Sequence, residues 1–494
     1  MTKGISRRLL LGGAASLVAG RVLAGAPAVS PWPVPRPGGF AGRAVPSPEA
    51  LIARADLGGK LGYVVADARS GAVLETLNPL LPMPPASVAK TATATYALEA
   101  LGADYRFATR LIATGPVRDG RLEGDLILAG GGDPVLNTDD LAGLAQALRQ
   151  AGLREISGAF LVWAGALPYQ RVIDKGQPEH LGYNPSISGL NLNYNRVYFE
   201  WKPAASGYTV SMDARSEKYR PQVTGSRMQV VERKAPVYTY AQDGDIDRWT
   251  VARAALGDGG GRWLPVRRPD LYVGEVFGWL AQAQGITLPR ARAIDRLPEG
   301  TVLARHQSPP LSDIVRLMLK YSINLVAEVL GLTASQARGA RPRTLKASAA
   351  RMNAWMKTAL GTRHARLSDH SGLSDRSRIS ASDLVKALVR ADGRLHQLMK
   401  EVVPLDENGR ARPEAGYAIR AKTGSLNFVS TLAGYVEAPD GRPLVFAILT
   451  GDIERRAAIP REMRERPPGA RGWARRARWL QHRLIDRWVR EFPG

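Results

Sequence analysis

Pro84-Pro85-Ala86-Ser87-Val88-Ala89-Lys90, running on into Thr91-Ala92-Thr93-Ala94-Thr95-Tyr96-Ala97-Leu98, is the stretch that decides how this chain is read. A proline-rich turn feeds an Ala/Thr/Leu-rich helix from about Ser87 to Leu101, with a serine and a lysine three apart at its start. Residues i and i+3 lie on one side of a helix, so the hydroxyl and the amine are within reach of each other. A serine hydroxyl is a poor nucleophile until a base takes its proton. A lysine partly withdrawn from water and near other positive groups has a lowered pKa and suits that task. The helix N-terminus adds backbone N–H groups and the positive end of the dipole beside a developing oxyanion. This is the only SxxK in 494 residues. Alone, the motif fits a serine N-cap with a solvated lysine better, so the downstream sequence has to decide.

Two more short motifs follow in order. Ser322-Ile323-Asn324 separates two apolar helical runs, in a turn where Ser322 and Asn324 point inward and Ile323 away. There Ser322 can relay a proton to a leaving amine, and Asn324 can bind a peptide carbonyl. Lys422-Thr423-Gly424-Ser425 ends a β-type run, Tyr417-Ala418-Ile419-Arg420-Ala421. Lys422 offers positive charge, Thr423 a hydroxyl for a carboxylate, and Gly424 a bare backbone where substrate lies against the strand.

SxxK, SxN and KTG in this order resemble the penicillin-recognising serine enzymes. More narrowly, the chain resembles the class C low-molecular-mass penicillin-binding proteins, the D-alanyl-D-alanine carboxypeptidase/endopeptidases. Gly130-Gly131-Gly132-Asp133-Pro134, Asn191-Leu192-Asn193-Tyr194-Asn195-Arg196, Asp369-His370-Ser371-Gly372-Leu373-Ser374 and Leu432-Ala433-Gly434-Tyr435 extend the likeness over about residues 50–490. The resemblance implies an α/β (α+β) fold. Its core is a serine β-lactamase/DD-transpeptidase-like domain, an antiparallel sheet flanked by helices, with large β-rich inserted subdomains. It implies a peptidase of bacterial wall peptidoglycan that removes terminal D-Ala from stem peptides, cuts D-Ala cross-links, and is acylated by β-lactams. It also implies roles: Ser87 as acylated nucleophile, Lys90 as its base, Ser322 and Asn324 in the middle of the site, Lys422 and Thr423 on the terminal carboxylate. The backbone N–H groups of Ser87 and Ser425 form the oxyanion hole, beside Gly424. No metal or organic cofactor is implied. Ile323 stands where many relatives have Asp, and because it faces away from substrate it shifts packing only. A β-lactamase would need a Glu placed to activate a deacylating water, and no such candidate stands out between SxN and KTG. A non-catalytic wall-binding protein would have to carry all three motifs intact to no purpose.

Organisation agrees with this. Ser6-Arg7-Arg8-Leu9-Leu10-Leu11-Gly12 opens a short apolar run with small-residue sites near Ala24 and Ala26, so 1–26 reads as an export signal of twin-arginine type, delivering the chain to the periplasm. Residues 27–48 are a Pro/Gly-rich tether, 49–105 and 306–494 the catalytic domain, and 106–305 the β-rich insert. A hairpin is expected over 61–77, helices over 311–333 and 382–401, and strands near 429–437 and 444–450, either side of an Asp440-Gly441-Arg442-Pro443 turn. The absence of cysteine excludes disulfides, thiolate metal sites and Cys nucleophiles. The net charge of +23 favours anionic partners, yet 55 of the 68 basic residues are arginines scattered along the chain, and nucleic acid is not a partner of an exported protein. His364 and His370 read as surface or loop histidines, and Gly130–Pro134 as a structural turn. The basic segment Trp473–Phe492 places Trp479, Leu480, Leu484 and Trp488 on one face, a terminal helix for the domain's own sheet with peripheral membrane contact as the alternative.

Overall fold

The computed structural model describes residues 45–492 except 392, 438–442 and 461–462. The expected signal at 1–26, the expected tether up to residue 44 and the expected turn at Asp440-Gly441-Arg442 lie outside the described residues. Labels below cover the sheet and helices that hold the site. Helix α1 (Pro48–Ala55) starts at a Ser47 cap whose hydroxyl accepts from Ala50 N. Strands β1 (Lys60–Asp67) and β2 (Val73–Leu77) form the expected hairpin, its turn held by Asp67, which accepts from the Arg69 and Ser70 amides. A 3₁₀ turn at Ala86–Val88 leads into α2 (Ala89–Leu101). After the insert come α3 (Leu311–Tyr321), α4 (Asn324–Ala337), α5 (Leu345–Leu360) and α6 (Ala381–Arg390). Strands β3 (Ala418–Leu426), β4 (Val429–Glu437) and β5 (Pro443–Gly451) precede the last helix, α7 (Ala470–Glu491).

The five strands form one antiparallel sheet in the order β3-β4-β5-β1-β2. The two ends of the sequence meet at β1–β5, where Tyr63 pairs with Ile448. Alternation along the strands sorts the core into two layers. Tyr63, Val65, Phe446 and Ile448 pack with Leu480, Leu484 and Trp488 of α7. Val64, Ala66, Ala447 and Leu449 pack with α2, α4 and α6 on the other face. The buried stripe of α7 is Trp473, Ala477, Leu480, Leu484 and Trp488. Trp479 sits beside it, half-buried, with its Nε1 donating to Glu407 O and the Arg54 guanidinium over its ring. Glu75 clasps this layer from β2, accepting from Tyr63 Oη, Trp488 Nε1 and Arg487.

One helical expectation is corrected. The stretch 382–401 is not one helix: α6 stops at Arg390, Gly393 takes a left-handed φ of 72°, and a short helix Arg394–Leu398 follows. The stretch 311–333 divides at Ser322 as expected, with that residue left-handed at φ 59°.

The insert leaves and returns through paired strands, Ala108–Ala113 and Thr301–Gln307, with Arg110 opposite Arg305. It has a core of its own, built from Leu111, Leu128, Phe160, Trp249, Phe277 and their neighbours. It is less purely β than its composition suggests, because the amphipathic helices Thr138–Gln150 and Pro269–Ala283 pack into that core. Gly130–Pro134 is a turn, with Gly132 N donating to Gly189 O and Gly130 too close to Leu190 for any side chain.

Trp488 closes the helical layer against β1 and β5, so Trp488→Ala should cost about 3–5 kcal/mol. Denaturant unfolding of the purified protein measures this.

Candidate active site

The polypeptide enters α2 through a strained turn. Ala86 has a positive φ of 47°, a conformation an alanine adopts only when its surroundings enforce it. Three contacts enforce it here. Thr431 Oγ1 on β4 donates to Pro85 O at 2.8 Å. Gly372 lies so close that a Cβ on it would meet Ala86 O at 1.9 Å. A Cβ on Gly424 would meet Thr431 Oγ1 at 2.1 Å and Ser87 N at 2.9 Å. Gly424 was expected to be bare for the sake of substrate, but its close approach is to the turn that carries Ser87. The serine is thereby fixed on the helix lip, facing a cleft of about 1070 Å³ that Ser322, Asn324, Leu373 and Ser425 also line.

Lys90 lies one turn further along and is fully buried. Its Nζ donates to Ser87 Oγ at 3.0 Å, Asn324 Oδ1 at 2.7 Å and the Ser371 carbonyl at 2.8 Å. An ammonium has three donors and all three are used. On losing a proton, the amine keeps two N–H bonds to Asn324 and Ser371 and turns its lone pair to the serine hydroxyl. Burial pulls the Lys90 pKa down to about 8. Withdrawal from water is the expected cause and acts here, while the carboxylates Glu328 and Asp369 push the pKa part of the way back up.

The structure brings the motifs together in one place. Asn324 opens α4 with both ends of its amide held, Oδ1 by Lys90 and Nδ2 by the Tyr183 carbonyl of the insert at 2.8 Å. Ser322 occupies the left-handed link between α3 and α4, beside Ser87 in the cleft. Lys422 is buried on β3, its Nζ donating to Thr423 O at 2.7 Å. Burial, Lys90 and Lys400 hold its pKa well below the usual lysine value. Thr423 and Ser425 alternate with it and are exposed.

β3 is an edge strand, but only partly open. Ala421 N donates to Lys400 O at 3.0 Å and Val402 N to Ile419 O at 2.8 Å, so residues 400–402 cover its first half. The free edge starts at Lys422 and runs past Ser87.

Sequence reasoning missed two residues. His370 is a loop histidine but a fully buried one, not a surface one: its ring lies against α4 where a Cβ on Gly331 would meet it at 2.1 Å, and Nε2 is 2.8 Å from Ser348 Oγ. Burial drives its pKa down to about 3, so the imidazole is neutral. Glu328, also fully buried, accepts from His370 N and Ser371 N. Its signal was a lone acid inside the apolar run Leu325–Leu332.

Residues 48–466 match the model of the D-Ala-D-Ala carboxypeptidase 3 (S13) family. A D-alanyl-D-alanine carboxypeptidase from Actinomadura sp. (strain R39) is 28% identical over 423 residues, 78% of this chain and 77% of that protein. The D-alanyl-D-alanine carboxypeptidase DacB of Haemophilus influenzae is 25% identical over 427 residues, 80% of this chain and 87% of that one. The crystal structure of penicillin binding protein 4 (dacB) from Haemophilus influenzae shares the fold, with a TM-score of 0.70 at 21% identity over 88% of this chain and 99% of that one.

A base must be neutral before it can accept a proton, so acylation of Ser87 should speed up as pH rises, with a midpoint near about 8 set by Lys90. Stopped-flow acylation across pH reads that limb. Gly424→Ala should slow the same step on the order of a hundredfold by displacing the serine turn.

Proposed function

The chain belongs to the D-Ala-D-Ala carboxypeptidase 3 (S13) family, and from that premise we propose that Ser87 is its acylated nucleophile and Lys90 the base. It is a serine-type D-Ala-D-Ala peptidase of peptidoglycan. The observation that carries the assignment is the Lys90 amine, buried and held by Ser87, Asn324 and Ser371.

In this reading a stem peptide lies extended along the free edge of β3, where unpaired backbone groups accept it as an added strand. The carboxylate of its last D-Ala meets Thr423 and the Lys422 charge, whose desolvation an incoming anion relieves. Ser87 Oγ attacks the carbonyl carbon of the penultimate D-Ala and passes its proton to Lys90. The Ser87 and Ser425 amides receive the oxyanion. Collapse breaks the peptide bond, and the departing D-Ala nitrogen takes a proton from Lys90 through Ser322. Water then hydrolyses the ester on Ser87, with Lys90 again taking the proton. β-Lactams follow the first half of this route: attack by Ser87 breaks the ring C–N bond, and the freed amine, still tethered to the acyl group, stays in the cleft and obstructs the second. Glu328 does not favour fast deacylation, because both its oxygens are occupied by backbone N–H groups.

The cleft is at the upper end of the range for ligand sites, roughly 300–1,000 Å³, and exceeds what a terminal D-Ala-D-Ala requires. Gln177 and Tyr183 of the insert line it. This supports cutting of D-Ala cross-links as well as terminal D-Ala, with the insert (106–305) as a substrate-selecting wall. Export by the twin-arginine route places the enzyme beside the wall.

Digestion of purified sacculi and of a D-Ala-D-Ala pentapeptide, read by mass spectrometry, should release D-Ala and monomeric muropeptides. Ser87→Ala should release neither and bind no labelled penicillin. Lys422→Ala should lower kcat/KM about ten- to a hundredfold for a free-carboxylate peptide, the worth of a charged hydrogen bond. The loss should be smaller for its amidated counterpart, and equal losses would remove Lys422 from the carboxylate site.

A further inference from the structure

Around Lys90 lies a layer of buried charge, two of whose four members, Glu328 and Asp369, belong to none of the three motifs. Lys90, Lys422, Glu328 and Asp369 are each at most 3% exposed. Two lysines and two carboxylates together carry no net charge when all are ionised, the condition under which buried charges persist. Asp369 is spent on its own loop, accepting from Ser374 N at 2.8 Å and Ser377 Oγ at 2.7 Å. Glu328 is used differently. From the middle of apolar α4 its Oε1 accepts from Ser371 N at 2.9 Å and its Oε2 from His370 N at 3.0 Å. Two N–H donors, one on each oxygen, favour the ionised form of the group. These bonds clamp Ser371 on its N-terminal side while Gly372, jammed against Ala86, clamps the other. Between the clamps, the Ser371 carbonyl points at Lys90 Nζ.

We propose that Glu328 is the positioning residue of the general base: it aims the Ser371 carbonyl at Lys90 and supplies the anion that balances the ammonium after each proton transfer. The inference rests on the reading of Ser87 and Lys90 as nucleophile and base. Every charged neighbour has a place in it. On Lys90 the Glu328 and Asp369 charges act to keep the proton, against burial, while the Lys422 ammonium faces it from β3. Burial and Asp369 push the Glu328 carboxyl up to about 8, and its two backbone donors offset only part of that rise. His370, neutral, adds no charge.

Glu328→Gln keeps the shape, removes the charge and turns an NH₂ toward one of the two amides. Penicillin acylation should slow on the order of a hundredfold through the misplaced base. The acid limb of its pH profile should also move to lower pH, by about 1–3 units, because the anion that held the proton on Lys90 is gone. Glu328→Asp keeps the charge but draws it back, so it should slow acylation and leave the limb where it was. A purely structural role would lower the melting temperature or the rate without moving the limb. A folded Glu328→Gln with an unmoved limb overturns the proposal. Should neither variant fold, infrared difference spectra of the wild-type protein carrying isotope-labelled glutamate decide the matter. A buried glutamate carboxylate band must change when penicillin acylates Ser87, and no change overturns the proposal. Wild-type protein that binds penicillin anywhere but Ser87 overturns the reading beneath it, whereas an unmoved limb with Ser87 acylated overturns only the role of Glu328.

Discussion

A lysine amine with no exposure to water is the constraint around which this protein is built. Removing an ammonium from water costs several kcal/mol unless its donors are all met. Only one of the three acceptors, Ser87, is local; Asn324 is 234 residues away and Ser371 281. Helix α2 can therefore be buried on all sides only if α4 and the 369–374 loop converge on the same point. Its near-unbroken burial from Ala89 to Leu98 follows from that convergence, and small Ala and Thr side chains let the neighbours approach. Thr93 turns the same requirement outward, donating to the His370 carbonyl at 2.6 Å.

The nucleophile is held by a second, steric constraint. Ser87 follows an alanine in a left-handed conformation, a state costing of order 1–3 kcal/mol that must be enforced from outside. Two glycines and a threonine from three distant segments enforce it, and each of the glycines works by lacking a Cβ. The lysine network and the serine turn share the 371–372 pair: Ser371 gives its carbonyl to Lys90, and Gly372 gives its emptiness to Ala86. Base and nucleophile are aligned by one stretch of backbone, so neither can drift without the other.

Much of this was legible in the sequence, for reasons that are local. The spacing of Ser87 and Lys90, the Gly-turn hairpin at 61–77 and the apolar runs of β4 and β5 are short-range patterns, and they fold as read. The break at Ser322 was visible as a polar interruption between apolar runs. What escaped depends on contacts between distant segments. Nothing near His370 in the chain says that it stacks on Gly331, so a lone histidine looked like a surface one. Glu328 looks like an anomaly in an apolar helix until the 370–371 amides are brought to it. The break of the 382–401 helix was available in Gly393, but amphipathic periodicity on either side masked it. Composition likewise hid the helix Thr138–Gln150, whose apolar residues are diluted among Asp, Gly and Gln, while the apolar run in Pro269–Ala283 fits a buried strand or a buried helix alike.

The insert is also more than an appendage by physical argument. Its backbone supplies the acceptor for Asn324 Nδ2, the Tyr183 carbonyl. Were that bond absent, the Asn324 amide would be free to rotate, and the orientation that offers Oδ1 to Lys90 would lose half of its support. Leu167 and Ile187 of the insert pack in the same core as α2 and α4, so the segment that carries Tyr183 is anchored close to the residue it orients. Arg464, from the strand-to-helix link before α7, donates to the Gly176 carbonyl at 2.7 Å and ties the opposite rim of the cleft to the same segment. The insert thus reaches the chemistry from two directions, through the amide that holds the base and through the wall that bounds the cleft. A change in how it sits on the sheet would reach Lys90 by way of Asn324 before it reached any substrate.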